Sequence, residues 1–158
     1  MTRLWVAFCF VVLMTGCSAE LVNGLLLPAR PSADVIQHLA ELPKPTGLKG
    51  GGDLEILLVR AGGELTIYNR SARVYRNCQL WLNGEYVAEI KELKQGELSV
   101  NLRGFINEHG ESFPVGHFLT PNLAYPVVLG EVVLQWRGER VKHLVEVRIG
   151  DDIDRIGT

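Results

Sequence analysis

Alternating apolar and polar positions dominate the chain from residue 54 onward and predict β-strands. The alternation predicts an all-β domain, an antiparallel β-sandwich of about seven short strands. Turn residues separate the strand candidates about every 8–12 residues, and no segment of helical period interrupts them. The candidates are LEILLVR, ELTIYNR, NCQLWL, EYVAEI, QGELSVNL, EVVLQW and VKHLVEVRI.

The clearest local signal is the Asn83-Gly84 pair between NCQLWL and EYVAEI. Two strand-like runs around Asn-Gly predict a β-hairpin, because a type I′ turn needs positive φ at both central residues. Alternation along NCQLWL places Cys78 and Leu82 on one face of the strand and Trp81 on the other.

Upstream of the strands, SADVIQHLAEL has the period of a short helix. Ser32 is a candidate N-cap for this helix. Such a helix must pack its apolar stripe on the following domain, on a partner or on a membrane surface, and the glycine-rich GLKGGGD after it predicts a flexible joint. The stripe is formed by Val35, Ile36, Leu39 and Leu42.

The N-terminal residues have a different pattern. Residues 4–14 are an unbroken run of 11 apolar residues behind Arg3. As a helix this run would reach about 16 Å, which is short of the roughly 30 Å of hydrocarbon in a bilayer. A basic start, a short apolar run and small residues predict a cleaved secretory signal peptide.

The run ends in Met14-Thr15-Gly16-Cys17, which resembles the lipobox of bacterial lipoproteins. Met14 stands where leucine is usual. The resemblance implies cleavage between Gly16 and Cys17 and acylation of Cys17 with chains such as palmitate. Several acyl chains anchor a protein stably, since each buried methylene contributes about 0.8 kcal/mol. Ser18 after the cysteine implies the outer membrane, with the protein facing the periplasm.

These features divide the chain into four segments. They are a signal peptide (1–16), a lipidated N-terminus with a tether and short helix (17–52), a β-sandwich domain (53–150) and a flexible tail (151–158). The chain has three cysteines. Cys9 leaves with the signal peptide and Cys17 is acylated, so Cys78 has no disulfide partner and is expected in the core.

Composition excludes some classes of function. The net charge is −2 and no Lys/Arg cluster is present, which argues against a nucleic-acid partner. No Gly-x-Ser-x-Gly, His-Glu-x-x-His or phosphate-loop motif occurs, so neither a cofactor nor a metal is expected.

The polar stretch FINEHGESF has two interpretations. Glu108 and His109 are a candidate metal or acid–base site on a loop. The favoured interpretation is a polar hairpin tip, in which Gly110 supplies a positive φ while Phe105 and Phe113 enter the core.

Four aromatic residues are a candidate binding surface. They are Trp81, Tyr86, Tyr125 and Trp136, which all lie in or beside predicted strands. If exposed, such residues would form a patch typical of binding sites. Residues 21–42 are an alternative cover for them, and the pattern leaves both arrangements open. The connection HFLTPNLAYPVVLG is the candidate variable binding loop.

The order LTIYN…CQLWLNGEY…LKQGELSVNLRGFINEHGESFP resembles small immunoglobulin- or fibronectin-III-like modules of bacterial envelope proteins, over residues 54–113. No Cys…Trp…Cys framework is present, and the resemblance implies no particular activity. The expected function is a non-catalytic envelope lipoprotein that interacts with, or helps to assemble, other envelope proteins. The alternatives are an envelope hydrolase acting on wall or glycan near Glu108 and His109, and a small-ligand-binding lipoprotein.

Overall fold

The computed structural model describes residues 31–116, 125–136 and 138–149 of the chain. The all-β prediction is confirmed, because strands form nearly all of the regular structure. The predicted signal peptide, the lipidation site Cys17 and the tail (151–158) lie outside the described residues. The elements are α1 (Ala33–Ala40), β1 (Lys49–Gly50), β2 (Ile56–Ala61), β3 (Glu64–Asn69), β4 (Tyr75–Leu82), β5 (Tyr86–Leu93), β6 (Gly96–Asn101), a 3-10 turn (Leu102–Gly104), β7 (Gly130–Trp136) and β8 (Glu139–Ile149).

The strands form one eight-stranded sheet that curls nearly into a barrel. Its order is β5-β4-β7-β8-β2-β3-β6, and β1 pairs with β8 beside this path. The long strand β8 joins two halves of the sheet. Residues 139–145 of β8 pair with β7 in the first half, which also contains β4 and β5. Residues 146–149 pair with β2 in the second half, which also contains β3 and β6.

The sheet is mixed, whereas the sequence pattern predicted antiparallel pairing throughout. β2 and β1 both pair with β8 in parallel, and the other ladders of the described strands are antiparallel. The β2–β8 register joins Leu57 to Glu146, which are far apart in the sequence. The alternation of apolar and polar residues indicates which face of a strand is buried, but it does not identify the strand that pairs with it.

The hairpin predicted at Asn83-Gly84 is confirmed. β4 and β5 pair directly, and Asn83 (φ 55°) and Gly84 (φ 67°) both have the left-handed conformation that the turn requires. The backbone N–H of Glu85 donates to the carbonyl of Leu82 at 3.1 Å and closes the turn.

The main core lies inside the curled sheet, and Cys78 belongs to it, as predicted. Its thiol donates to the carbonyl of Ile90 at 3.7 Å, and burial raises its pKa to about 11. Close packing reaches Gly130, where a Cβ atom would lie 2.5 Å from Cδ1 of Leu58 and 2.7 Å from Cγ2 of Val145. This position therefore excludes any side chain.

A second, smaller core lies outside the first half, under α1. Here Leu39 packs with Trp81, Val87, Ile106 and Val133. We call residues 32–48, which contain α1 and the segment that follows it, the strap. Four further side chains of the strap are partly buried against this core: Ile36, Ala40, Leu42 and Leu48.

Two details of the N-terminal segment differ from the prediction. Val35 was placed in the buried stripe but is 41% exposed, because a helix of only eight residues presents a narrow face to the sheet. The predicted joint GLKGGGD contains β1, in which Lys49 pairs with Val141 of β8. The segment is thus attached to the domain through backbone hydrogen bonds. Ser32 does precede the helix, although its side chain makes no capping hydrogen bond.

Candidate functional site

The four aromatic residues that were predicted to form a binding surface do not lie on one surface. Trp81 faces outward beneath the strap and is 2% exposed, whereas Tyr86 faces the inner core and is 6% exposed. Tyr125 is 41% exposed. Trp136 ends β7, and its side chain lies outside the described residues. The structure therefore brings together Tyr86 and Tyr125, and a binding role for the four residues stays a prediction.

Phe113 links the two tyrosines into an aromatic cluster at one end of the sheet. Its ring centroid lies 5.0 Å from that of Tyr86, in an edge-on arrangement, and 5.8 Å from that of Tyr125. The two tyrosine rings are 6.3 Å apart. These separations are typical of favourable aromatic pairs.

Arg60, which is not among the predicted site residues, covers this cluster. Its guanidinium carbon lies 5.7 Å from the centroid of Phe113, a cation–π arrangement. Its Nη1 donates to the carbonyl of Tyr125, and its Nε donates to the carbonyl of Gly62 at 3.1 Å. Burial lowers the pKa of this guanidinium. The sequence did contain one indication of this position. Every second residue of β2 faces inward, and Arg60 follows Ile56 and Leu58 in that series.

Asn83 fixes the chain segment next to the cluster. Its Nδ2 donates to the carbonyl of Pro126 at 2.8 Å, and its Oδ1 accepts from the backbone N–H groups of Val128 (2.9 Å) and Leu129 (3.1 Å). One side chain thus holds three backbone groups of residues 126–129.

The segment held by Asn83 exposes apolar side chains. Val128 is 73% exposed and Leu129 is 38% exposed, and Tyr125 precedes them. We call Tyr125, Val128 and Leu129 the apolar ridge. Adjacent exposed apolar residues on a fixed backbone are typical of interaction sites.

The stretch FINEHGESF is a polar hairpin tip, as favoured from the sequence. Gly110 has a φ of 74°, and Phe105 and Phe113 are buried. Asn107 organises the tip, since its Oδ1 accepts from the N–H groups of His109 (3.0 Å) and Glu111 (2.9 Å), and its Nδ2 donates to Glu111 at 2.9 Å.

The candidate acid–base pair of this tip is held by the strap. The carboxylate of Glu108 accepts a hydrogen bond from Nζ of Lys44 at 2.9 Å and lies 3.8 Å from Nε2 of His109. The hydrogen bond from Lys44 lowers the pKa of Glu108, and His109 contributes less. This carboxylate is therefore poorly suited to act as a general acid.

The tip also borders an open cleft of about 600 Å³. Arg103, His109, Glu111, Ser112 and Phe113 are among its lining residues. Within the described ranges, no three His, Cys, Asp or Glu side chains come together in an arrangement that could hold a metal ion.

Burial also changes the pKa of Tyr86, which belongs to the aromatic cluster. Desolvation, followed by the charge of Glu85, raises the pKa of the Tyr86 phenol, while a hydrogen bond with Asn107 opposes this rise. The phenol therefore stays protonated at neutral pH and can donate or accept a hydrogen bond at this end of the sheet.

Comparisons with known proteins found no relative of this chain. No protein-family model matches this chain, no curated protein matches it, and no solved structure matches it. Among the helices that the structure describes, none has the length and hydropathy to cross a membrane.

Proposed function

We propose that the chain is a membrane-anchored lipoprotein of the bacterial envelope, and that its β-domain is a non-catalytic interaction or assembly module. The apolar ridge carries this proposal, because its three apolar side chains are exposed on a backbone segment that Asn83 holds at residues 126–129 and Arg60 holds at Tyr125. Exposed apolar residues on a loop are typical of protein interfaces.

A rigid ridge favours binding for an entropic reason. Ordering a loop upon association opposes binding, and a backbone that is already fixed avoids much of this loss. Arg60 and the aromatic cluster support the ridge from the inner side, since Arg60 is bonded to the backbone of Tyr125. The expected partner is a protein with a complementary apolar pocket.

The anchor is proposed from the lipobox residues. Cys17 would become the acylated first residue of the mature chain after cleavage behind Gly16, and Ser18 would direct the protein to the outer membrane. Such an anchor would hold the β-domain at the periplasmic face of the membrane.

We also propose that the domain is an immunoglobulin-like sandwich. The strand neighbours support this assignment: β2, β3 and β6 correspond to strands A, B and E, while β4, β5, β7 and β8 correspond to C, C′, F and G. In this correspondence, the parallel β2–β8 pair joins the first and last strands of the sandwich.

The interaction role is tested by photo-crosslinking in intact cells. A photoreactive amino acid at Val128 should give a discrete crosslinked species. The same amino acid at Val74, which is 42% exposed away from the ridge, is the matched control. Equal crosslinking at both positions, or none at Val128, would contradict an interaction at the ridge.

The anchor is tested separately. Cys17→Ser should abolish fatty-acid labelling and release the protein from membranes, whereas the matched variant Cys78→Ser should leave both unchanged. Continued labelling of Cys17→Ser would show that the anchor is assigned to the wrong residue.

A further inference from the structure

We propose that the outer face of the first half, centred on Trp81, is a docking groove for an amphipathic helix of a partner protein. The strap occupies this groove in the free protein and competes with that helix. The inference extends the proposed interaction role to a second surface, and it rests on that role for the existence of a partner.

The groove consists of apolar side chains on the outward side of the sheet. Trp81, Val87, Ile106 and Val133 are each at most 3% exposed beneath the strap. The outward positions of an antiparallel sheet are commonly polar and solvated. An apolar outward face therefore requires a cover, and here the cover includes a helix, so the groove already accommodates one.

The strap accepts no hydrogen bond from the indole N–H of Trp81, which is a polar group of this groove. The indole N–H of Trp81 is buried, and no group in the part of the chain described here accepts a hydrogen bond from it. The strap residues packed against this small core are Ile36, Leu39, Ala40, Leu42 and Leu48, whose side chains carry no acceptor. A buried donor without a partner disfavours the docked strap. A helix with an acceptor on its apolar face would remove this penalty.

Nη2 of Arg140 donates to the carbonyl of Pro43, after the helix, at 3.0 Å. The contacts of the helix itself and the two ion pairs of the strap are weak. Its helix has eight residues, of which only Leu39 is fully buried, and helices of this length are marginal by themselves. The ion pairs His38–Glu89 (3.2 Å) and Lys44–Glu108 (2.9 Å) are solvent-exposed, so each contributes little.

The residues that directly follow the strap are attached more firmly than its helix. The N–H of Gly51 donates to the carbonyl of Lys142 at 2.7 Å, and Nδ1 of His143 lies 2.6 Å from the carbonyl oxygen of Gly52. A Cβ atom on Gly51 would overlap the imidazole of His143. The strap can therefore leave the groove while β1 remains paired with β8.

The docked strap lowers the apparent affinity of the groove for the helix of the partner. A partner that binds only the open groove has an apparent affinity lowered by the fraction of molecules that are open. Changes that loosen the strap therefore strengthen binding in proportion to the open fraction.

The experiment uses the full chain in detergent micelles and synthetic peptides as probes. One peptide has the sequence of residues 31–48, and four others carry Gln in place of Ile36, Leu39, Ala40 or Leu42. The protein variant Leu39→Ala, which loosens the strap, should bind the unmodified peptide at least tenfold more tightly than the wild type. At least one Gln peptide should bind this variant a further tenfold more tightly.

The role of the indole N–H is tested by a double-mutant comparison. The variant Leu39→Ala/Trp81→Phe keeps an aromatic ring but has no N–H donor, so the preference for the Gln peptide should disappear. Equal peptide binding by the wild type and Leu39→Ala, or an unchanged Gln preference in the double variant, would overturn the proposal.

Hydrogen exchange on the wild-type protein provides a measurement that needs no variant. Amides of residues 36–42 should exchange at least 100-fold faster than those of β4, because the strap opens locally. Equal protection would overturn the proposal. Crosslinking at Val128 and labelling of Cys17 do not involve the strap, so failure here is distinguishable from failure of the proposed function.

Discussion

The two halves of the sheet shield apolar outward residues in different ways. In the first half, a separate element, the strap, lies over Trp81 and Val133. In the second half, Leu57 and Val59 of β2 are nearly as buried, although no helix of the described chain lies over them. Tyr68 and Arg148 line the surface depression around these two residues.

In the second half, the side chains around Leu57 and Val59 belong to the sheet strands or to residues directly beside them, and Arg70 is one of those that line the depression. The Arg148 and Arg70 guanidinium groups both reach the carboxylate of Glu146, at 2.5 Å and 3.8 Å. Side chains attached to the sheet stay beside it while the sheet is folded. A cover built from a separate helix can detach, and this difference between the halves is open to experiment.

The largest expected effect is at Trp81. Trp81→Ala removes the largest side chain of the smaller core and should lower the free energy of unfolding by about 3 kcal/mol. The matched substitution Tyr68→Ala, on the outer face of the second half, should lower it by about 1 kcal/mol. Urea denaturation measures both changes. Similar losses would show that the two outer faces are shielded equally.

Leu39→Ala should have the next largest effect. Loss of this buried side chain should lower the free energy of unfolding by about 2 kcal/mol. The neighbouring exposed residue gives the control, because Val35→Ala should change stability by less than about 0.5 kcal/mol. If both substitutions had the same small effect, the strap would contribute nothing to stability.

The contact between the halves should depend on Asn69. Its buried Nδ2 donates to the carbonyls of Arg73 (2.7 Å) and Leu93 (3.3 Å), which links the end of β3 to the end of β5. Asn69→Ala should lower the free energy of unfolding by about 1.5 kcal/mol, since it leaves the buried carbonyl of Leu93 unpaired and removes the part-buried hydrogen bond to the carbonyl of Arg73.

Asn83→Gly is the comparison for this substitution, because Asn83 binds exposed backbone groups that water can satisfy, and glycine tolerates the positive φ of this turn position. It should lower the free energy of unfolding by about 0.5 kcal/mol. Chemical denaturation of the two variants gives the difference, and an equal loss for both would contradict a special role of Asn69 between the halves.

The smallest expected effect concerns pH. Because Lys44 lowers the pKa of Glu108, this ion pair stabilises the folded protein above the ordinary carboxyl value of 4.5. The stabilisation is lost as pH falls through the lowered pKa. The urea midpoints of the wild type and Glu108→Gln should therefore differ slightly at pH 7, and the difference should shrink as pH falls below the ordinary carboxyl value. A difference that stays constant as pH falls would assign the effect to something other than this charge.

Local alternation predicted the strands, the hairpin turn at Asn83-Gly84 and the burial of Cys78, because each depends on residues close together in the sequence. The parallel pair β2–β8 was not predicted, since it joins positions about 90 residues apart. The candidate site was predicted in part. Tyr86 and Tyr125 do meet, but Arg60 was missed, because a charged residue at the end of an apolar strand gives no indication of an aromatic neighbour from another segment.

Sequence alone determined which face of each strand holds apolar residues, because side chains alternate with a period of two whatever the surroundings. It placed Trp81 on the face opposite Cys78 and left open whether that face is exposed. Only the tertiary structure decided this question, by packing the strap over Trp81. The physical reason is that a cover comes from a distant segment, and its position depends on how the whole chain closes around its cores.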